Sequence, residues 1–279
     1  MTGTKVTSTG HAAADTPWLD HHYQSARPEY EDSLRHVGIM PGWTMLDAGC
    51  GGGNFLPLMC ELVGPHGTVV AMDLAPENIA HVEALARDGA YPPSVKTRVG
   101  SILSMPFDNA MFDCVWSANV MQYLTEPEFE RALAQFKRVL KPGGTLAIKE
   151  FDSTILQFQP MDPAVVARLV SARRAKSAET GLLGTWSGSS MPSRLRRAGL
   201  TEIVRKGWLV ERWTPLSPHT RIFIEEVLTY FAGLAAQHDV PAADLQLWRD
   251  VASNPGSLLD DPDFCSREFF VLTVGRVPK

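Results

Sequence analysis

Five strand-length apolar runs are interleaved with helix-length amphipathic segments in the first 151 residues, and few folds accommodate that order. The pattern predicts strands over 44–48, 68–72, 95–99, 112–117 and 145–151. Helices are predicted over 18–37, 55–63, 76–87 and 126–140. In the last of these Phe129, Ala132, Leu133, Phe136 and Leu140 recur at helical spacing. Pro57 and Pro76 fall in first turns, where a missing N–H costs little. Lys141-Pro-Gly-Gly reads as a turn. Strands alternating with helices imply a parallel, doubly wound sheet, which binds ligands at the carboxyl ends of its strands. Beyond residue 151 the rhythm changes: long helices are expected over 162–180 and 218–236, a short one over 192–198, and strands over 202–213 and 268–276. The expectation is an α/β protein with a doubly wound, mostly parallel seven-stranded sheet and a helical cap. It divides into a flexible tail (1–17), N-terminal lid helices (18–40), a ligand-binding core (41–152), a cap with the sixth strand (153–267) and the last core strand (268–279).

Composition narrows the function. The 279 residues are 44% apolar and 20% charged, with a net charge of −5. A dominant nucleic-acid footprint needs the opposite sign. No apolar run reaches the roughly 18 residues of a membrane span, and the N-terminus lacks the apolar stretch of a signal peptide. Cys50, Cys60, Cys114 and Cys265 show no CxxC spacing, which points to reduced thiols in a cytoplasmic protein and to no bound metal.

The most specific segment is Asp47-Ala-Gly49-Cys-Gly51-Gly52-Gly53-Asn54, at the end of the first strand. As a dinucleotide fingerprint, GxGxxG, it fits only in part, because Asn54 stands where the third glycine belongs. As D-x-G-x-G-x-G it fits fully. Glycines let the backbone turn sharply and approach a ligand closely. Asp47 would repel a pyrophosphate but can accept from an ammonium group. Asp73, 24 residues after Gly49, ends the second strand, where a carboxylate can accept from two ribose hydroxyls. In these residues the chain resembles the class I S-adenosylmethionine-dependent methyltransferases. Gly100-Ser-Ile-Leu-Ser-Met-Pro-Phe107 is similar to that family's adenine loop, with Ser101 in place of the usual Asp. Arg138-Val-Leu-Lys-Pro-Gly-Gly144 is similar to its turn before the fifth strand. Asn119-Val-Met-Gln122-Tyr-Leu resembles its segment beside the methionyl group, with Gln122 where many relatives carry His. The resemblance, over about residues 20–152, implies a Rossmann-like fold and S-adenosylmethionine as cofactor, converted to S-adenosylhomocysteine. The implied binding residues are Asp47, Gly49, Cys50, Gly51, Gly53, Asp73, Leu74, Ser101, Ile102, Asn119 and Val120. Tyr23 joins them, in a segment similar to the N-terminal lid of relatives.

The resemblance does not single out a base. Glu150 ends the fifth strand near the site rim, and His22, Tyr23 and His219 are the other candidates, with His21, Glu225 and Glu226 behind them. Aromatic residues gather in the second half, so Phe151, Trp186, Trp208 and Tyr230 are expected to line a largely apolar acceptor pocket. Nine basic residues against three acids between Met161 and Lys206 add a cationic element, and Arg173 is the candidate contact for an anionic acceptor. Asp260, Asp261 and Asp263 read as turn residues before the last strand. The leading expectation is a small-molecule methyltransferase of secondary, quinone or isoprenoid metabolism. The alternatives are an RNA or protein methyltransferase, and a catalyst of cyclase type that binds the cofactor without transferring methyl. The N-terminal segment is free to cover its own site or a partner's in a homodimer.

Overall fold

The computed structural model describes residues 16–92 and 94–279. Most of the expected tail, 1–15, lies outside the described residues, whereas Thr16 and Pro17 open the first helix. The expected N-terminal helix is two helices, α1 (Thr16–Ser25) and α2 (Arg27–Arg35), broken at Ala26. The core follows as β1 (Thr44–Ala48), α3 (Leu56–Val63), β2 (Thr68–Asp73), α4 (Pro76–Arg87), β3 (Val95–Val99), β4 (Phe112–Ala118), α5 (Glu126–Val139) and β5 (Leu140–Phe151). Thr125 and Glu128 close a reciprocal cap at the start of α5, satisfying donors that a helix N-terminus leaves open.

The turn expected at Lys141–Gly144 is a correction. Those residues belong to β5 and form an irregularity in its pairing with β4, where the register steps from Phe112–Leu140 to Cys114–Thr145. Gly143, at φ 77°, supplies the left-handed step that a Cβ would strain.

The second half contributes β6 (Gln157–Gln159), α6 (Pro163–Thr180), α7 (Met191–Arg197), β7 (Thr201–Trp213), α8 (Pro218–Ala235), α9 (Ala242–Ser253), α10 (Gly256–Leu259) and β8 (Cys265–Arg276). The sheet runs β3-β2-β1-β4-β5-β8, with β6 and β7 also pairing with β8. It holds the expected seven strands plus the three-residue β6. β1 to β5 are parallel, and β8 is antiparallel to β5, β6 and β7.

Strand order reverses direction between β1 and β4, which opens the crevice at their carboxyl ends. Met45, Trp116 and Phe270 pack beneath α2 and α3 on one face of the sheet. Leu46, Val115 and Ile148 pack against α5 and α7 on the other. The cap has its own core, in which Phe158, Phe231 and Trp248 meet edge to face. No helix among the described residues is long and apolar enough to cross a membrane.

Candidate active site

The parallel register brings four polar side chains to the ends of neighbouring strands. Asp47 pairs with Ala71 and Trp116, Asp73 ends β2, Asn119 follows β4, and Lys149 lies beside Ala118. The glycine loop is docked on β2: the N–H groups of Gly49 and Cys50 both donate to the Met72 carbonyl, at 2.7 and 3.0 Å. Gly49, Gly51 and Gly53 all have positive φ, at 86°, 51° and 80°. A Cβ at Gly49 would collide with Val120, and one at Gly51 would lie 2.7 Å from Leu19 of α1. Replacing Gly49 by alanine therefore combines backbone strain with a steric clash. It is expected to cost about 2–4 kcal/mol of stability. A thermal melt within a degree or two of wild type would contradict that.

Asp73 is fixed by three donors. Its Oδ2 accepts from Gly51 N–H at 2.8 Å, and its Oδ1 accepts from Ala75 N–H at 2.9 Å and from the Asn78 side chain at 3.3 Å. Asp47 is 1% exposed, and its Oδ2 is buried without a hydrogen-bond partner. Burial first, and then the negative charge of Asp73, push its pKa up from 3.8 to about 8. A buried, unpartnered carboxylate oxygen above a glycine cradle is what an ammonium-bearing ligand completes. The residues present fit the amino acid and ribose groups of S-adenosylmethionine.

The remaining expected cofactor residues surround this pair. Ser101 Oγ accepts from Leu103 N–H at 3.1 Å, and Gly100 N–H donates to the Asp73 carbonyl, so the loop over 100–107 begins beside Asp73. Ile102 is buried, Leu74 is exposed just past Asp73, and the Cys50 thiol is held in its neutral form by burial. Asn119 is left-handed at φ 59°, a sparse conformation for a residue with a Cβ.

The candidate bases separate. Glu150 is fully buried and its Oε1 accepts from Met121 N–H at 2.8 Å, which caps the short turn Met121–Tyr123. Burial raises its pKa to about 7 against the opposing pull of those backbone N–H groups and Lys149. Its Oε2 has no hydrogen-bond partner. Tyr23 is 7% exposed, packs on Tyr30 and Phe55, and places its hydroxyl 3.5 Å from Glu31. The histidines come together at the seam of α1 and α8. His21 Nδ1 is 3.4 Å from Glu226, the His21 and His219 rings are 5.9 Å apart, and His22 stacks on Phe223 at 4.5 Å. Glu225 instead accepts from Arg221 on the same helix.

The expected acceptor residues also divide. Tyr230 and Arg173 join Glu150 within electrostatic reach of the Tyr123 hydroxyl, whose pKa rises chiefly through burial. Trp186 is half-buried in a loop whose Leu183 and Gly184 N–H groups donate to the carbonyls of Leu124 and Gln122. Phe151 packs against the cap core. Trp208 is a correction: it stacks on Phe270 at 5.3 Å beneath α2, donates to Asp32 at 2.7 Å, and belongs to the sheet's packing. The basic segment is partly spent internally, since Arg168, Lys176, Arg194 and Lys206 pair with Asp244, Glu179, Glu126 and Asp32. Asp260 pairs with Arg221 and Asp261 caps the Asp263 N–H, as turn residues do. Sequence reasoning missed Lys149 and Tyr30. The signal for the first was a lysine directly after the apolar Leu146, Ala147 and Ile148 of β5.

Known proteins resemble this chain over the same core. Residues 45–144 match the methyltransferase domain family. The chain is 34% identical over 146 residues to the malonyl-[acyl-carrier protein] O-methyltransferase of Erwinia billingiae, covering 50% of this chain and 54% of that one. It is 30% identical over 128 residues to the ubiquinone/menaquinone biosynthesis C-methyltransferase UbiE of Hahella chejuensis, covering 46% and 48%. The chain thus spans about half the length of these curated relatives. A methyltransferase structure from Bacillus halodurans shares the fold, with a TM-score of 0.57, 20% identity, and coverage of 89% of this chain and 98% of that one. Over residues 45–144 the chain is therefore similar to the methyltransferase domain family, and its fold is that of a methyltransferase.

Proposed function

We propose that this protein transfers a methyl group to a small, largely apolar or aromatic acceptor in secondary, quinone or isoprenoid metabolism. Bound in the cradle, S-adenosylmethionine supplies a methyl group made electrophilic by its sulfonium centre. Asp47 would hold the amino group, Asp73 the ribose, and the Ser101–Ile102 loop the adenine. Gly49, Gly51 and Gly53 let the backbone approach, and Leu19 of α1 covers the loop and excludes water. Orientation of the acceptor against the cofactor supplies up to about 7–11 kcal/mol of the acceleration. The observation that carries this reading is the buried, unpartnered Oδ2 of Asp47. The packing of α1 onto α8, through His21 near Glu226 and His22 on Phe223, supports a small acceptor over an RNA or protein, which needs an open site. One matched relative serves ubiquinone and menaquinone biosynthesis, in keeping with such an acceptor.

The test is transfer of isotope-labelled methyl from S-adenosylmethionine into a source-cell extract separated into small-molecule and macromolecular fractions. Label in the small-molecule fraction is expected. Label confined to RNA or protein would replace this reading with the macromolecular one. Intact cofactor binding with no label in either fraction would point to the non-transferring role.

A further inference from the structure

At the carboxyl end of β5 the chain buries a lysine that the proposed cofactor site leaves unused. Lys149 is 0% exposed. Its Nζ lies 3.7 Å from the centroid of the Tyr30 ring and 4.5 Å from that of Phe270, and donates to Asn119 Oδ1 at 3.1 Å. Among the described residues this is its one hydrogen-bond partner, although an ammonium carries three donors. The groups around it come from every neighbouring element. Tyr30 faces it from α2, and His22 from α1 lies behind, its Nε2 2.8 Å from the Tyr30 hydroxyl. Glu268 of β8 lies 3.6 Å from that same nitrogen, and Glu150 follows Lys149 along β5. Burial outweighs the attraction of Glu150 and Glu268 and brings the amine's pKa down from 10.5 to about 7. Near neutral pH the free amine, with its lone pair, is therefore substantially populated.

The position is close to the cofactor cradle. Asn119, which holds the amine, immediately precedes Val120, the residue packed over Gly49. We propose that Lys149 is the catalytic base of the reaction proposed above, and that the acceptor is a phenol or an enol. The acceptor's O–H bond breaks, its electron pair stays on oxygen, and the proton joins the lone pair of Nζ. The resulting ammonium gains the ring faces of Tyr30 and Phe270, the Asn119 oxygen and the charges of Glu150 and Glu268. The resulting oxyanion is the methyl-accepting nucleophile and pairs with that ammonium. Efficient transfer needs acid and base of comparable strength. A phenol or enol is closer to this amine in acidity than an aliphatic alcohol is, and a carboxylic acid, already ionised at neutral pH, needs no base. Tyr30 of α2 and Phe270 of β8 cover the amine, so the acceptor enters past half-buried Asn119.

The inference rests on the methyltransferase reading, and its test separates the two. Protein carrying ¹³C at the lysine ε carbon is saturated with S-adenosylhomocysteine, and the Lys149 signal is identified by its loss in Lys149→Met. That signal is expected to titrate with a midpoint of about 7. The probe 4-nitrophenol, added below its own pKa, is expected to show phenolate absorbance on binding and to shift Lys149 to its ammonium form. In Lys149→Met, S-adenosylhomocysteine still binds, bound 4-nitrophenol stays protonated, and label transfer to phenols falls by ~10²–10⁴-fold. Methionine conserves volume and removes a buried charge, a change that cores tolerate. The wild-type titration and spectrum stand even if the variant does not fold. The proposal is overturned if Lys149 stays an ammonium through alkaline pH, if 4-nitrophenol binds only as the neutral phenol or not saturably, or if Lys149→Met ionises it equally well. Failure of wild-type protein to bind S-adenosylhomocysteine would instead remove the underlying methyltransferase reading.

Discussion

Replacing Asp73 by alanine is expected to weaken S-adenosylhomocysteine binding by ~10²–10⁴-fold, from two charge-assisted hydrogen bonds worth roughly 1.5–3 kcal/mol each. The carboxylate has two tasks here. In the proposed site it is the acceptor offered to the ribose, and it anchors the glycine loop through Gly51 N–H and the next helix through Ala75 N–H. Alanine removes both. Asparagine keeps one side-chain acceptor oxygen, so Asp73→Asn is expected to fall between alanine and wild type. Titration calorimetry of the three proteins decides the matter, and equal affinities would remove Asp73 from the cofactor site.

Asp47→Asn is expected to weaken the same ligand by ~10–100-fold at neutral pH and, more tellingly, to abolish the pH dependence of binding. In the wild type the free carboxyl titrates at about 8 because it is buried beside Asp73. A bound ammonium favours the carboxylate, so below pH 8 binding expels a proton. Affinity should therefore rise with pH, by up to about tenfold per unit, and level off above about 8. The sign for folding is opposite. A carboxyl whose pKa is higher in the folded chain than its ordinary 3.8 holds its proton more tightly when folded. Its contribution is fully present at acid pH and is lost as pH rises towards 8. The stability of Asp47→Asn relative to unliganded wild type should then increase over that window. A flat difference between the two proteins, measured by denaturant melts across pH, would show that Asp47 is ionised in the free protein.

The order of β1 to β5 was legible because buried parallel strands are short apolar runs bounded by turn residues, and the cofactor loop because D-x-G-x-G-x-G is dense in chemical constraint. Lys141–Gly144 misled because Pro and Gly usually end a strand; here pairing resumes after the irregularity at Thr145. β6 is too short to carry a periodicity of its own. α9 went unassigned, although Leu245, Trp248 and Val251 lie at helical spacing and pack in the cap core. Contacts between distant segments were beyond reach: nothing local to Trp208 announces that its indole is taken by Asp32, 176 positions away. The same holds for His22. Its neighbours Tyr30, Phe223 and Glu268 come from three different elements.

One helix closes two places at once. α1 sets Leu19 against Gly51 and offers the Leu19 carbonyl to the Asn54 side chain at 3.1 Å. Within the next turn it holds His21 near Glu226 and His22 on Phe223. A rigid helix of ten residues cannot leave the first contact and keep the second. In the proposed reaction, opening the way for spent cofactor would therefore also unlatch the acceptor side. Departure of the two products would share a single gate, and the dwell time of that helix, not the bond-making step alone, would set a ceiling on turnover.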